Sequence, residues 1–262
     1  MAEDRFVAPS LRYLALENRF FAESALLRAA RPLLQRSASD PHAVLVLPGL
    51  GATDRSTRPL RRVLRQQHHW VHGWNLGRHK VWTRESVSEV EDRLEELHAR
   101  YGAPISLVGI SAGGILAREL ARAHPERVRQ LITIVSPFRH RDGDDNRIAR
   151  LLSHVKPGDS DHFRELPRED DRPRLPMPVT SIFSRSDGLI DWRSCLETPG
   201  HERDNIEIRA SHLGAAANLA TVIAVSERLN CPLDDWHPFV PPRGTSVLFP
   251  GRRALNNAER SA

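Results

Sequence analysis

The chain has 262 residues, 40% of them hydrophobic, which is enough for one sizeable core and ordinary for a globular protein. No stretch approaches the roughly 20 apolar residues of a membrane span, and the acidic start Met1-Ala2-Glu3-Asp4 argues against a secretory signal. Basic residues outnumber acidic ones 38 to 33, but the two are interspersed, so the charge of +5 does not read as a nucleic-acid surface.

In chain order, residues 10–36 read as a helical N-terminal arm, with Leu11, Leu14, Phe20, Phe21, Leu26, Leu27, Leu33 and Leu34 as its apolar positions. Residues 43–47 are a continuous apolar run, hence a buried strand. Pro48-Gly49-Leu50-Gly51 turns the chain, and Leu60, Val63 and Leu64 give a helical stripe. Residues 70–74 form the next strand. Ser86 and Glu89 have capping-box spacing ahead of a helix carrying Val87, Val90, Leu94 and Leu97, which Gly102 stops. Residues 105–109 are a short buried strand, 111–124 a helix closed by Pro125, and 131–135 a further strand. Residues 137–178 are polar and charged and read as a cap or lid over the sheet. Strands at 179–183 and 206–208 and a helix at 213–229 complete the pattern, and the proline-rich tail wraps the surface or frays. Alternating apolar runs and helices predict an α/β fold with a mostly parallel sheet and helices on both faces. The expected organisation is an arm at 1–40, one domain at 41–236 containing the 137–178 insertion, and an irregular tail at 237–262.

The chemistry centres on Gly109-Ile110-Ser111-Ala112-Gly113, followed by Gly114. A Gly-X-Ser-X-Gly run between a buried strand and a helix is the setting of a nucleophile elbow. A serine hydroxyl is a weak nucleophile and needs a base oriented by an acid, here in the order Ser, acid, His. Asp187 and His212 each follow a strand, on the edge that carries Ser111. Asp191 also follows the acid strand, but it reads as the N-cap of the next helical turn. The oxyanion needs two N–H donors: Ala112 supplies one, and Leu50 or Gly51 the other.

These elements resemble bacterial α/β-hydrolases of the esterase/lipase type. The resemblance is carried by Val46-Leu-Pro-Gly-Leu-Gly51, His72-Gly-Trp-Asn-Leu-Gly-Arg78, Gly109-Ile-Ser-Ala-Gly-Gly114, Ser184-Arg-Ser-Asp-Gly188 and Ser211-His-Leu-Gly214. It implies the α/β-hydrolase fold, with Ser111 as nucleophile, Asp187 as acid and His212 as base, and a small-molecule carboxylic ester as substrate.

Alternatives are an acyltransferase with the same triad and a non-catalytic binding protein on the same fold. His68, His69, His72 and His79 surround Trp70 and Trp74, but positions on a strand with no carboxylate beside them do not make a metal site. No cofactor is expected. Cys195 and Cys231 lack metal or redox spacing and suit a reducing cytoplasmic setting. The arm, with Phe20, Phe21 and Arg12, Arg19, Arg28 and Arg31, packs on the sheet or over the site; peripheral membrane contact is the other reading.

Overall fold

A computed structural model of the chain describes residues 7–80, 84–139 and 167–251. Six strands form one sheet among these residues: β1 (Ala43–Leu47), β2 (Trp70–Gly73), β3 (Ile105–Ile110), β4 (Val128–Ile134), β5 (Val179–Ser184) and β6 (Arg203–Ile208). All neighbours are parallel, in the order β2-β1-β3-β4-β5-β6. The order reverses between β1 and β3. A crevice opens outside the strand ends at such a switch point, where open α/β sheets hold their ligands.

Strand β1 is apolar throughout, and β1, β3 and β5 are buried along their whole length, because both faces of the sheet are covered. Val44 and Val46 of β1 point to one side and pack with Leu60, Val63 and Leu64 of α3 (Asp54–Gln66) and with Val222 and Val225 of Leu219–Leu229. Leu45 and Leu47 point to the other, among Leu94 and Leu97 of α4 (Arg84–Tyr101) and Leu116 and Leu120 of α5 (Ala112–Ala123). The edge strand β6 alternates, with Asp204, Ile206 and Ile208 buried and the residues between them half-exposed.

The arm is a run of short helices, α1 (Leu11–Ala15), a 3-10 turn at Leu16–Arg19, α2 (Phe20–Ala30) and a second 3-10 turn at Arg31–Leu34. Leu27 enters the core, while Leu11, Phe21, Leu26 and Leu33 remain exposed. No helix among the described residues is long and apolar enough to cross a membrane.

Several element boundaries differ from expectation. Helix α4 already includes Arg84, so Ser86 lies inside it rather than at its cap. Strand β4 starts at Val128, because parallel pairing beside β3 begins at Ile105 and carries Gln130 with it into the interior. The last helix, expected from 213, is a 3-10 turn at Ala215–Ala217 followed by α6 (Leu219–Leu229). Asn218 separates the two, its side-chain oxygen accepting from the N–H groups of Ala220 (2.9 Å) and Thr221 (3.4 Å).

Most of the expected cap, residues 140–166, lies outside the described residues, as does the tail from 252. The flank after the cap is tied to α5. Glu169 pairs with Arg118 and Arg122, and Arg172 donates from both terminal guanidinium nitrogens to Glu119 at 2.6 and 2.7 Å. The tail up to residue 251 is anchored: Phe239 and Phe249 are buried against each other, ring centroids 4.8 Å apart.

Candidate active site

Strand β3 ends at Ile110 and α5 begins at Ala112, leaving one residue for the turn. Ser111 occupies it at φ 52°, ψ −125°, a strained conformation for a side chain with a Cβ. The Ser111 N–H donates to the Ile134 carbonyl at 2.9 Å, and the Ser111 carbonyl accepts from Gly114 at 2.9 Å. A turn this tight brings α5 onto its own strand. A Cβ at Gly109 would overlap the Gly113–Gly114 backbone, and one at Gly113 would overlap the carbonyls of Leu47 and Pro48.

Asp187 and His212 come from the loops after β5 and β6, and the parallel sheet delivers both to the edge that holds Ser111. His212 Nδ1 donates to Asp187 Oδ2 at 2.7 Å, and the Ser111 hydroxyl donates to His212 Nε2 at 2.9 Å. The three are 2–8% exposed. Asp187 Oδ1 accepts from the N–H groups of Leu189 (2.8 Å) and Ile190 (3.0 Å), so the carboxylate is fixed before it meets the imidazole. Burial of His212 opposes its protonation. The charge and hydrogen bond of Asp187 and the charge of Glu17 outweigh that, and the imidazole pKa rises above its ordinary 6.5. Asp191 instead caps the 3-10 turn Trp192–Cys195, accepting from the Arg193 N–H, and pairs with the Arg193 guanidinium at 2.6 Å.

The loop after β1 lies against the serine. A Cβ built on Gly49 would stand 3.2 Å from Ser111 Cβ. Gly51 does not fit the donor role expected of it: its N–H is already donated to the His79 carbonyl at 2.7 Å. The N–H groups of Leu50 and Ala112 have no hydrogen-bond partner among the described residues. Ala112 owes this to its place at the start of α5, where the first N–H groups of a helix have no intrahelical acceptor. His79 holds the loop in shape. Its buried ring donates from Nδ1 to the Pro48 carbonyl at 2.7 Å, and its N–H donates to the Ala52 carbonyl at 2.7 Å.

The other histidines around Trp70 and Trp74 have separate duties. His72 Nε2 bonds Tyr101 Oη at 2.8 Å, while His69 is buried beside His42, its pKa pushed by burial down to about 4. Among the described residues, no group of three His, Cys, Asp or Glu side chains converges as metal ligands do. Both cysteines are buried.

Sequence reading missed the acids of the arm. Glu17, 5% exposed, accepts from the N–H groups of Gly188 and His212 at Oε1 (both 2.9 Å) and of Leu213 at Oε2 (3.0 Å). One carboxylate thus clasps the acid loop and the base loop together. Glu23 holds the next residue, accepting from Ser211 N–H and Oγ at 2.8 Å each, and Arg19 bridges Glu23 to the Ser186 carbonyl. The only local signal was an acid between the apolar pairs Leu14/Leu16 and Phe20/Phe21.

Glu17→Gln is expected to disturb this clasp, because its amide NH2 must face at least one backbone N–H. It also removes a negative charge that favours the imidazolium. If His212 serves as a base in its neutral form, activity is expected to fall as pH drops through its pKa, and losing Glu17's charge to move that acidic limb to lower pH. Glu17→Asp, which keeps the charge, should leave the limb in place. A pH profile of kcat/KM for the two variants checks both outcomes.

No protein-family model and no curated protein matches the sequence. Solved structures do match in fold, and the chain has the α/β-hydrolase fold. It is similar to a pyrethroid hydrolase from Sphingobium faniae JZ-2 at 16% identity, covering 72% of this chain and 96% of that one with a TM-score of 0.54. A monoacylglycerol lipase from Paleococcus ferrophilus aligns at 15% identity over 74% and 96% of the two chains, with a TM-score of 0.53. A lipase from Bacillus licheniformis in its mature form aligns at 14% identity over 70% and 91%, with a TM-score of 0.51.

Proposed function

We propose that the chain is a serine esterase cleaving carboxylic esters of apolar acyl groups through an acyl-enzyme on Ser111. The observation that carries this reading is the buried relay from Asp187 through His212 to Ser111, with unbonded N–H groups at Leu50 and Ala112 beside it. Ser111 Oγ attacks the acyl carbon as its proton passes to His212 Nε2. The carbonyl oxygen takes up the charge and is met by the two N–H groups. Collapse of this intermediate breaks the bond to the alcohol, which leaves with the proton from His212. Water then repeats the sequence on the acyl-enzyme and releases the acid. Asp187 holds the imidazole in the required tautomer and stabilises its cation. The apolar substrate class is supported by Leu50, Ala112 and Leu213, chain neighbours of the reacting groups that keep some exposure, and agrees with the names of the pyrethroid hydrolase and monoacylglycerol lipase of the same fold.

The test is hydrolysis of 4-nitrophenyl esters of graded acyl length. Turnover that rises from acetate toward medium-chain acyl groups is expected. Absence of turnover across the series, with the protein folded, contradicts the reading.

A further inference from the structure

Helix α3 begins just beyond the loop that carries Leu50, and α2 follows the turn that carries Glu17. Both pack on the 3-10 turn Ala215–Ala217, three residues after His212. Between them lies a cavity of about 350 Å³, lined by Arg28 and Arg31 from one side and Arg55, Arg58 and Arg62 from the other, with no acidic residue in its wall. Residues 28 and 31, and 55, 58 and 62, are at helical spacing, so each set forms a stripe facing the cavity.

Other arginines of this chain meet carboxylates, as Arg118 does with Glu169 and Glu197 and Arg172 with Glu119, or donate to backbone carbonyls, as Arg65 does to Val71 and Arg203 to Met177. None of the five cavity arginines forms an ion pair or a side-chain hydrogen bond among the described residues. Arg31 Nε is removed from solvent without a partner. Like charges at this spacing weaken a helix, and two such stripes facing one cavity repel each other. Folding brings the stripes together nonetheless. A local arrangement that opposes the fold marks a place shaped for something else.

A polyvalent oxyanion resolves the conflict. Guanidinium forks match phosphate oxygens in geometry and charge, and phosphoryl groups offer several acceptors with more than one negative charge. A single carboxylate would satisfy one fork and leave the others unmet. The walls of the cavity are continuous in the chain with segments that hold the site. Arg55 is two residues beyond Thr53, the N-cap of α3, and Ser24, in the cavity wall, follows Glu23, which holds Ser211.

We propose that this cavity binds phosphoryl groups borne by the acyl ester or thioester whose acyl bond Ser111 attacks. The anion site stands on the arginines alone; its service to the substrate rests on the esterase reading. The experiment has two arms, using wild type and the variant Arg58→Gln/Arg62→Gln. In the first, inorganic pyrophosphate is titrated calorimetrically at low ionic strength. Binding that weakens with added salt and falls at least tenfold in the variant is expected; no binding to wild type overturns the site. In the second, octanoyl-coenzyme A is compared with octanoyl-N-acetylcysteamine, the same thioester without phosphates. A KM at least tenfold lower for the former is expected, with the variant raising it toward the latter and leaving turnover of the neutral thioester unchanged. Equal KM values overturn the substrate assignment. Pyrophosphate binding without turnover of either thioester also overturns it and marks failure of the esterase reading, with the anion site intact. Capture by phosphatidylglycerol vesicles that the variant loses, without a KM difference, would place the phosphate on a lipid surface and overturn the substrate assignment as well.

Discussion

Ser111→Ala is expected to fold as the wild type does and to lose ester hydrolysis by roughly 10⁶-fold in kcat. The loss is large because nucleophile and base act as one unit. Without the hydroxyl, His212 Nε2 has no proton to take, and the two donor N–H groups face a carbonyl that nothing attacks. The fold is spared for a local reason. The contacts that set the elbow are backbone bonds of residue 111 to Ile134 and Gly114, and alanine keeps them. Its Cβ adopts φ 52° at the same steric cost as that of serine. Circular dichroism and a thermal melt establish folding, and a continuous nitrophenyl assay reads the rate. Turnover within tenfold of wild type would remove Ser111 from the chemistry.

Asp187→Asn is expected to lower kcat by roughly 10⁴-fold at unchanged fold. Asp187 uses one oxygen for the N–H groups of Leu189 and Ile190 and the other for His212 Nδ1. In asparagine the single carbonyl oxygen stays with the two backbone donors, and the NH2 group faces Nδ1. The imidazole must then accept at Nδ1 and carry its proton on Nε2, directed at Ser111 Oγ. In that tautomer it cannot act as a base. Asp191→Asn is the control. Its carboxylate caps a 3-10 turn and pairs with Arg193, so its loss should cost about 1 kcal/mol of stability and leave kcat within a few-fold. If Asp191→Asn were the inactive one of the pair, the acid would have to be reassigned.

The convergence of Ser111, Asp187 and His212 was legible because each follows an apolar run read as a buried strand, and parallel strands bring all such ends to one edge. The elbow was legible because glycines crowd a serine at a strand-to-helix junction. The choice between Leu50 and Gly51 was not. It turns on a bond from Gly51 to His79, 28 residues away, across a loop with no periodicity to align the two. The arm was legible as an amphipathic helix, but its function lies in its polar residues. Glu17 reaches Gly188 and His212 across 171 and 195 residues, and no local pattern records a contact of that range. Strand β6 was read short because Arg203, Asp204 and Asn205 look like loop residues, although their alternation with Ile206 and Ile208 is that of an edge strand.

The clasp of Glu17 also changes how the arm is understood. An apolar arm that merely covers the sheet could be removed at a cost in stability alone. Here Glu17 alone supplies three acceptor contacts to the loops that hold Asp187 and His212, so removal of the arm should lower kcat before it unfolds the sheet. A misplacement of about 1 Å in such loops is enough for a 10²-fold loss.

The most direct test of the central claim is the intact mass of the protein after exposure to a fluorophosphonate, which reacts with an activated serine and displaces fluoride. One adduct per chain, mapped to the peptide containing Ser111 and absent from His212→Ala, is the predicted result. An unmodified wild-type chain, or an adduct on a residue other than Ser111, would contradict the account.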